Sequence, residues 1–157
     1  DYMDTAKAKD LANAQISEGA DIIFQVAGGA GNGVIEAAAE KDGVMAIGVD
    51  SDQYQALEGS NLQSAVITSS LKRLDNALFN ICKSYGEDPS SVPFGENVTY
   101  GLAEDSVGIV FNENLTNSIS QENVDKVQEL LEKIQSGEIE VTEAAGLSAE
   151  EIDAIVQ

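Results

Sequence analysis

Asp50 and Lys72 are the residues whose types and spacing best suit recognition chemistry. A carboxylate carries two oxygens and accepts from two vicinal hydroxyls at once, while a lysine ammonium donates up to three hydrogen bonds and accepts none. A chain that brings the two together can grip a ribose or another polyol from two sides. Ahead of them runs Gly28-Gly29-Ala30-Gly31-Asn32-Gly33, a turn whose backbone N–H groups are left largely uncovered by side chains. Asp52 lies close to Asp50, but two carboxylates on one ligand repel, so Asp52 is expected in solvent or on a backbone N–H of the next loop. Bond-making chemistry has less support. The chain has no His and a single cysteine, Cys82, which argues against a Ser-His or Cys-His pair and against a zinc site. No enzyme activity, metal or cofactor is expected. Cys82 falls in an apolar helical pattern and is expected to be a small core residue.

These residues need elements to carry them. Asp21 to Ala27 is a short apolar run bounded by Gly19 and Gly28, the pattern of a strand buried on both faces. Val34 to Lys41 has helical composition, and Ala37 to Ala39 suit close packing on a sheet. Val44 to Val49 is a second strand, with Asp50 just past its carboxyl end, where open parallel sheets bind ligands. Ser51 to Gln63 is polar connection, and Ser64 to Ser69 is a third strand. It feeds a helix from Ser70 to Tyr85 with Leu71, Leu74, Leu78 and Ile81 as its core face. Lys72 opens that helix, where the dipole opposes a cation, so it is expected to serve something outside the helix. Gly28–Gly29, Asp50 and Lys72 thus come from three consecutive strand ends.

Around this centre, Asp4 and Thr5 are cap candidates for a helix reaching Glu18. Asn97 to Leu102 and Ser106 to Phe111 are expected as a strand pair, Asn114 to Gln121 as connector, and Gln121 to Ser136 as an amphipathic helix. Val141 closes a short extended piece. Ser148 to Val156 is a short helix with a capping box from Ser148 to Glu151. Alternating strands and helices over the first half specify an α/β fold with a parallel sheet and right-handed crossovers. A strand is expected just before Asp1, and the chain opens without an initiator Met, so it reads as a piece of a longer protein.

Composition narrows the partners. The 157 residues include 8 Lys and Arg against 28 Asp and Glu, a formal charge of −20. Such a surface repels phosphate backbones and anionic membranes, so nucleic acid is not an expected partner. No run is long enough to span a bilayer.

Gly29-Ala30-Gly31-Asn32-Gly33 followed by Asp50 also mimics a dinucleotide fingerprint, since Asp50 lies 19 residues after Gly31. The third glycine fails: counted from Gly29 it falls on Val34, and from Gly31 on Glu36. An NAD-binding Rossmann domain of an oxidoreductase stays open as an alternative.

GADIIFQVAGGAGNGVIEAA, AIGVDSDQ and VITSSLKRLDNAL, with the later YGLAEDSVGIV and KIQSGEIEV, resemble the carboxyl-terminal lobe of the basic membrane protein (BMP) family. These are substrate-binding lipoproteins of ABC importers and include purine-nucleoside receptors. The resemblance implies a type I periplasmic-binding fold of two α/β lobes that close on a nucleoside. It implies that Asp50 binds ribose hydroxyls, Lys72 completes the grip, Gly28 and Gly29 line the cleft, and Tyr2 stacks on the base. It implies a carboxyl-terminal α/β lobe over residues 1–90 that lacks its first strand. Residues 91–157 would then hold crossover strands and terminal helices directed at an amino-terminal lobe. An ABC permease partner, a lipidated amino terminus and an extracytoplasmic location at the bacterial surface or in the periplasm follow from the same likeness. Alone, this lobe should bind nucleosides weakly or not at all. The ligand-sensing lobe of a transcriptional regulator shares the fold and is a further alternative.

Overall fold

The Asp4 carboxylate accepts the Lys7 N–H at 3.0 Å and so caps α1 (Thr5–Ser17). That is the first element of a computed structural model describing residues 2–142 and 147–155. Then follow β1 (Ile22–Phe24), a tight 3₁₀ turn (Gly28–Ala30), α2 (Gly31–Ala39), β2 (Met45–Asp50), the short α3 (Gln53–Ala56) and β3 (Val66–Lys72). The remainder is α4 (Leu74–Glu87), β4 (Val107–Ile109), α5 (Glu113–Ser118), α6 (Gln121–Gln135) and α7 (Ala149–Ile155).

The four strands form one sheet in the order β1-β2-β3-β4, with β1, β2 and β3 parallel and β4 antiparallel to β3. The parallel register puts Ile23 beside Ala46 and Ala46 beside Val66. All three are buried and belong to the core beneath α1 and α2, with Ala12, Val34, Ile35, Ala37 and Ala38. The alanines of α2 let it lie close to the sheet. Gly33 does the same for α1, because a Cβ there would run into the Thr5 carbonyl. Because the three strands are parallel neighbours, their carboxyl ends share one edge, and that edge carries Asp50 and Lys72.

Several sequence expectations need correction. β1 is not buried on both faces: Ile23 and Gln25 are buried, but Ile22, Phe24 and Val26 on the alternate face are exposed. β1 stands at the edge of the sheet, and nothing among the described residues fully covers that face. β3 runs on through Lys72, so Lys72 ends a strand and does not open a helix; α4 starts at Leu74. α4 has no buried residue, and Leu78 and Phe79 are 62% and 66% exposed. Its apolar stripe is real but is not a core face here, and Cys82 on the same helix is exposed for the same reason. Residues 97–100 form no strand; β4 pairs with β3 instead, at Ser70–Ile109, Leu71–Gly108 and Lys72–Val107. The connectors expected at 51–63 and 114–121 contain α3 and most of α5. Val141 is exposed and outside any strand. α7 has its capping box, with Ser148 N–H and Oγ each 2.8 Å from the Glu151 carboxylate and the Glu151 N–H on Ser148 Oγ. Val156 lies outside the described residues.

Candidate functional site

Asp50 is the last residue of β2 and Lys72 the last of β3; Asp50 pairs across the ladder with Leu71. Lys72 Nζ meets Asp50 Oδ1 at 2.7 Å, with the side chains 56% and 48% exposed. Such a half-exposed pair adds little stability, so its interest lies in what it presents. Asp50 Oδ1 is engaged by the ammonium, a carboxylate has a second oxygen to accept with, and a lysine ammonium has donors to spare. Together they offer an acceptor beside a donor, the complement of a vicinal diol.

The glycine turn lies at the end of β1. Gly28 has φ +57, a conformation that side chains other than glycine resist. A Cβ at Gly28 would lie 3.5 Å from Tyr2 Cβ, and one at Gly29 would lie 3.2 Å from Met3 Sδ. Ala30 N–H donates to the Tyr2 carbonyl at 2.8 Å. Tyr2 is therefore fixed against Gly28 and Gly29 by its backbone, while its side chain is largely exposed. The expected residues fall into two contacts, Asp50 with Lys72 and Tyr2 with Gly28 and Gly29.

The same geometry weakens the dinucleotide reading. A Cβ at Gly31 would collide with the Gln25 carboxamide, and one at Gly33 with the Thr5 carbonyl. Protein atoms already fill the space that those glycines would leave to a pyrophosphate, and Ala30 N–H is spent on Tyr2.

Asp52 caps α3, its carboxylate accepting the Gln55 N–H at 3.1 Å. That is the backbone bond expected of it. Among the described residues no group of three or more His, Cys, Asp or Glu is arranged to hold a metal ion, and no helix is long and apolar enough to cross a membrane.

Three residues beneath the rim escaped the sequence reading. Gln25 Nε2 donates to Gln53 Oε1 at 2.7 Å, the Gln53 N–H donates to Ser69 Oγ at 3.1 Å, and the Val49 N–H donates to Gln53 Oε1 at 3.0 Å. The available signal was Gln25 itself, a polar residue inside the run Ile-Ile-Phe-Gln-Val-Ala. Elsewhere, Asn114 Nδ2 donates to the carbonyls of Gln63, Ser64 and Val66, tying α5 to the start of β3. An apolar hollow of about 360 Å³ between α4 and residues 92–100 is lined by Ile81, Phe94 and Tyr100 among others and by none of the rim residues.

The family model Bmp, described as ABC transporter substrate-binding protein PnrA-like, matches residues 1–145. A CD4+ T-cell-stimulating antigen of Listeria monocytogenes is 34% identical over 154 residues, covering 91% of this chain and 42% of that protein. The ABC transporter nucleoside-binding protein BmpA of Lactococcus lactis is 33% identical over 113 residues, covering 64% of this chain and 31% of its own length. Among solved structures, an ABC transporter solute-binding protein from Aeropyrum pernix superposes with a TM-score of 0.71 at 26% identity, covering 98% of this chain and 48% of that one. The chain thus spans less than half the length of these relatives.

Proposed function

The chain belongs to the Bmp family of PnrA-like ABC transporter substrate-binding proteins, and from that premise we propose that it forms one half of a receptor that binds a purine nucleoside. The observation that carries this reading is the Asp50–Lys72 pair, 2.7 Å apart on the carboxyl edge of a parallel sheet. In it Asp50 accepts from the two ribose hydroxyls, and Lys72 donates to a ribose oxygen while holding the carboxylate in place. Tyr2, set against Gly28 and Gly29, stacks its ring on the base, and the glycine backbone lines the cleft. The nucleoside-binding relative from Lactococcus lactis supports the substrate class.

On this reading the protein makes and breaks no bonds. A second α/β lobe closes over the ligand, and an ABC permease reads the closed state through its different lobe geometry. The working place is extracytoplasmic, with anchoring through a lipidated amino terminus of the full-length protein. The excursion from Leu74 to Asp105, which leaves the sheet with an exposed apolar helix, belongs against that second lobe.

The test is titration calorimetry of the full-length protein with adenosine and guanosine. Hydrogen bonds to a charged group contribute about 1.5–3 kcal/mol each. Asp50→Ala should cost about 2–3 kcal/mol of affinity, weakening binding by about 30–150-fold. Unchanged affinity would remove Asp50 from the role, and no binding by the wild type would refute the ligand class.

A further inference from the structure

Asp50 has φ +70, a left-handed conformation that costs an aspartate free energy. The Ser51 N–H donates back to the Val49 carbonyl at 2.9 Å, so Asp50 is the central residue of a γ-turn of the strained, positive-φ kind. Strain of this sort persists only where the surroundings hold it. We propose that Gln53, backed by Gln25 and Ser69, is a positioning residue that holds the Asp50 carboxylate in binding geometry and locks the glycine turn to the same frame. This rests on the nucleoside reading of the Asp50–Lys72 pair for its effect on affinity, but not for its effect on the backbone.

The bonds close on both sides of Asp50. On one side, the Val49 N–H is held by Gln53 Oε1 at 3.0 Å; on the other, the Gln53 N–H is held by Ser69 Oγ on β3 at 3.1 Å. The segment from Val49 to Gln53 is thus pinned at both ends, with the strained residue between. Gln53 Oε1 also accepts Gln25 Nε2 at 2.7 Å, and Gln25 Oε1 accepts the Ala27 N–H at 3.1 Å, one residue before the glycine turn. One side-chain chain therefore ties the ends of β1, β2 and β3. Gln25 is 3% exposed and Ser69 is fully buried, so water cannot readily replace the lost partners.

The backbone leaves room for this clasp. At Gly48 a Cβ would lie 2.6 Å from both Gln53 Oε1 and Ser69 Oγ, and at Gly31 it would collide with the Gln25 carboxamide. Both glycines vacate the space where the clasp crosses β2 and meets α2.

The experiment uses the full-length protein and three variants. Gln53→Met keeps the length and removes the acceptor; Gln53→Glu keeps the acceptor for both donors; Ser69→Ala removes the outer anchor. Adenosine and guanosine are titrated separately, and the Asp50 ¹³Cα and ¹³Cβ shifts, which report the sign of φ, are read without ligand. Gln53→Met should weaken binding about tenfold, and Gln53→Glu should retain most of it. In an Asp50→Asn background Gln53→Met should add little, because it acts through the Asp50 carboxylate. The Asp50 shifts should leave the left-handed range in Gln53→Met and Ser69→Ala and stay in Gln53→Glu. Wild-type affinity in Gln53→Met, losses that multiply in the Asp50→Asn background, or unmoved Asp50 shifts would each overturn the proposal. If wild type binds neither nucleoside, the functional reading fails and the shifts alone decide the clasp. If Gln53→Met does not fold, Ser69→Ala carries the same comparison.

Discussion

On the proposed reading Asp50 carries two demands at once: a carboxylate for the ligand and a backbone angle better suited to glycine. The left-handed region costs an L-residue about 1–2 kcal/mol, so Asp50→Gly should be more stable than Asp50→Ala by about that amount. Urea denaturation of the two variants checks this, and both should lose the nucleoside grip equally. Equal stabilities would show that the turn is not strained. The sequence singled out Asp50, Lys72 and Asp52 because each stands near a strand end or helix start. Gln25 and Gln53 stayed hidden because their partners are distant in sequence, 28 residues apart. A glutamine in an apolar run announces a buried polar group without naming what satisfies it.

Elements with local causes were legible. α1 follows from its Asp4 cap, α7 from its Ser148–Glu151 box, and the two longer parallel strands from their apolar runs. Elements that depend on a neighbour were not. The stretch 97–100 has strand-like residues and no strand to pair with, and α3, only four residues long, rests on its cap. Helix contact is equally specific: Gly33→Ala would drive a Cβ into the Thr5 carbonyl of α1. Overpacking against backbone should cost about 1–3 kcal/mol, read as a lower urea midpoint. At α7, the Ser148 N–H and Oγ hold the Glu151 carboxyl below its usual value of 4.5. A lowered folded pKa means the capping bond is fully present above 4.5 and lost as pH falls through the lower, folded value. The Ser148 amide resonance should therefore shift on acidification with a midpoint below 4.5. A midpoint at or above 4.5 would contradict the capping bond.

Helical spacing in α4 shows that one face is apolar; it does not show whether the covering surface lies in the same chain. Leu74, Leu78, Phe79 and Tyr85 are all more than half exposed, on a helix fixed at its start by the Arg73–Asp105 ion pair and by Asn76 Nδ2 on the Asp105 carbonyl at 2.8 Å. These contacts tie the start of α4 to the turn just before β4, which returns to the sheet. Relatives run to more than twice this length, and on the proposed reading the covering surface belongs to the second lobe. Burying a large apolar side chain contributes about 1.5–3 kcal/mol. A Leu78→Lys, Phe79→Lys double variant should then behave oppositely in two contexts. In the 157-residue chain, where both side chains are already exposed, its unfolding free energy in urea should stay within about 0.5 kcal/mol of wild type, and binding of a hydrophobic dye should fall. In the full-length protein the same variant should lose about 3–6 kcal/mol and gain dye binding. Equal effects in both contexts would mean that α4 is a solvent-facing helix in the intact protein, and that the second lobe packs elsewhere.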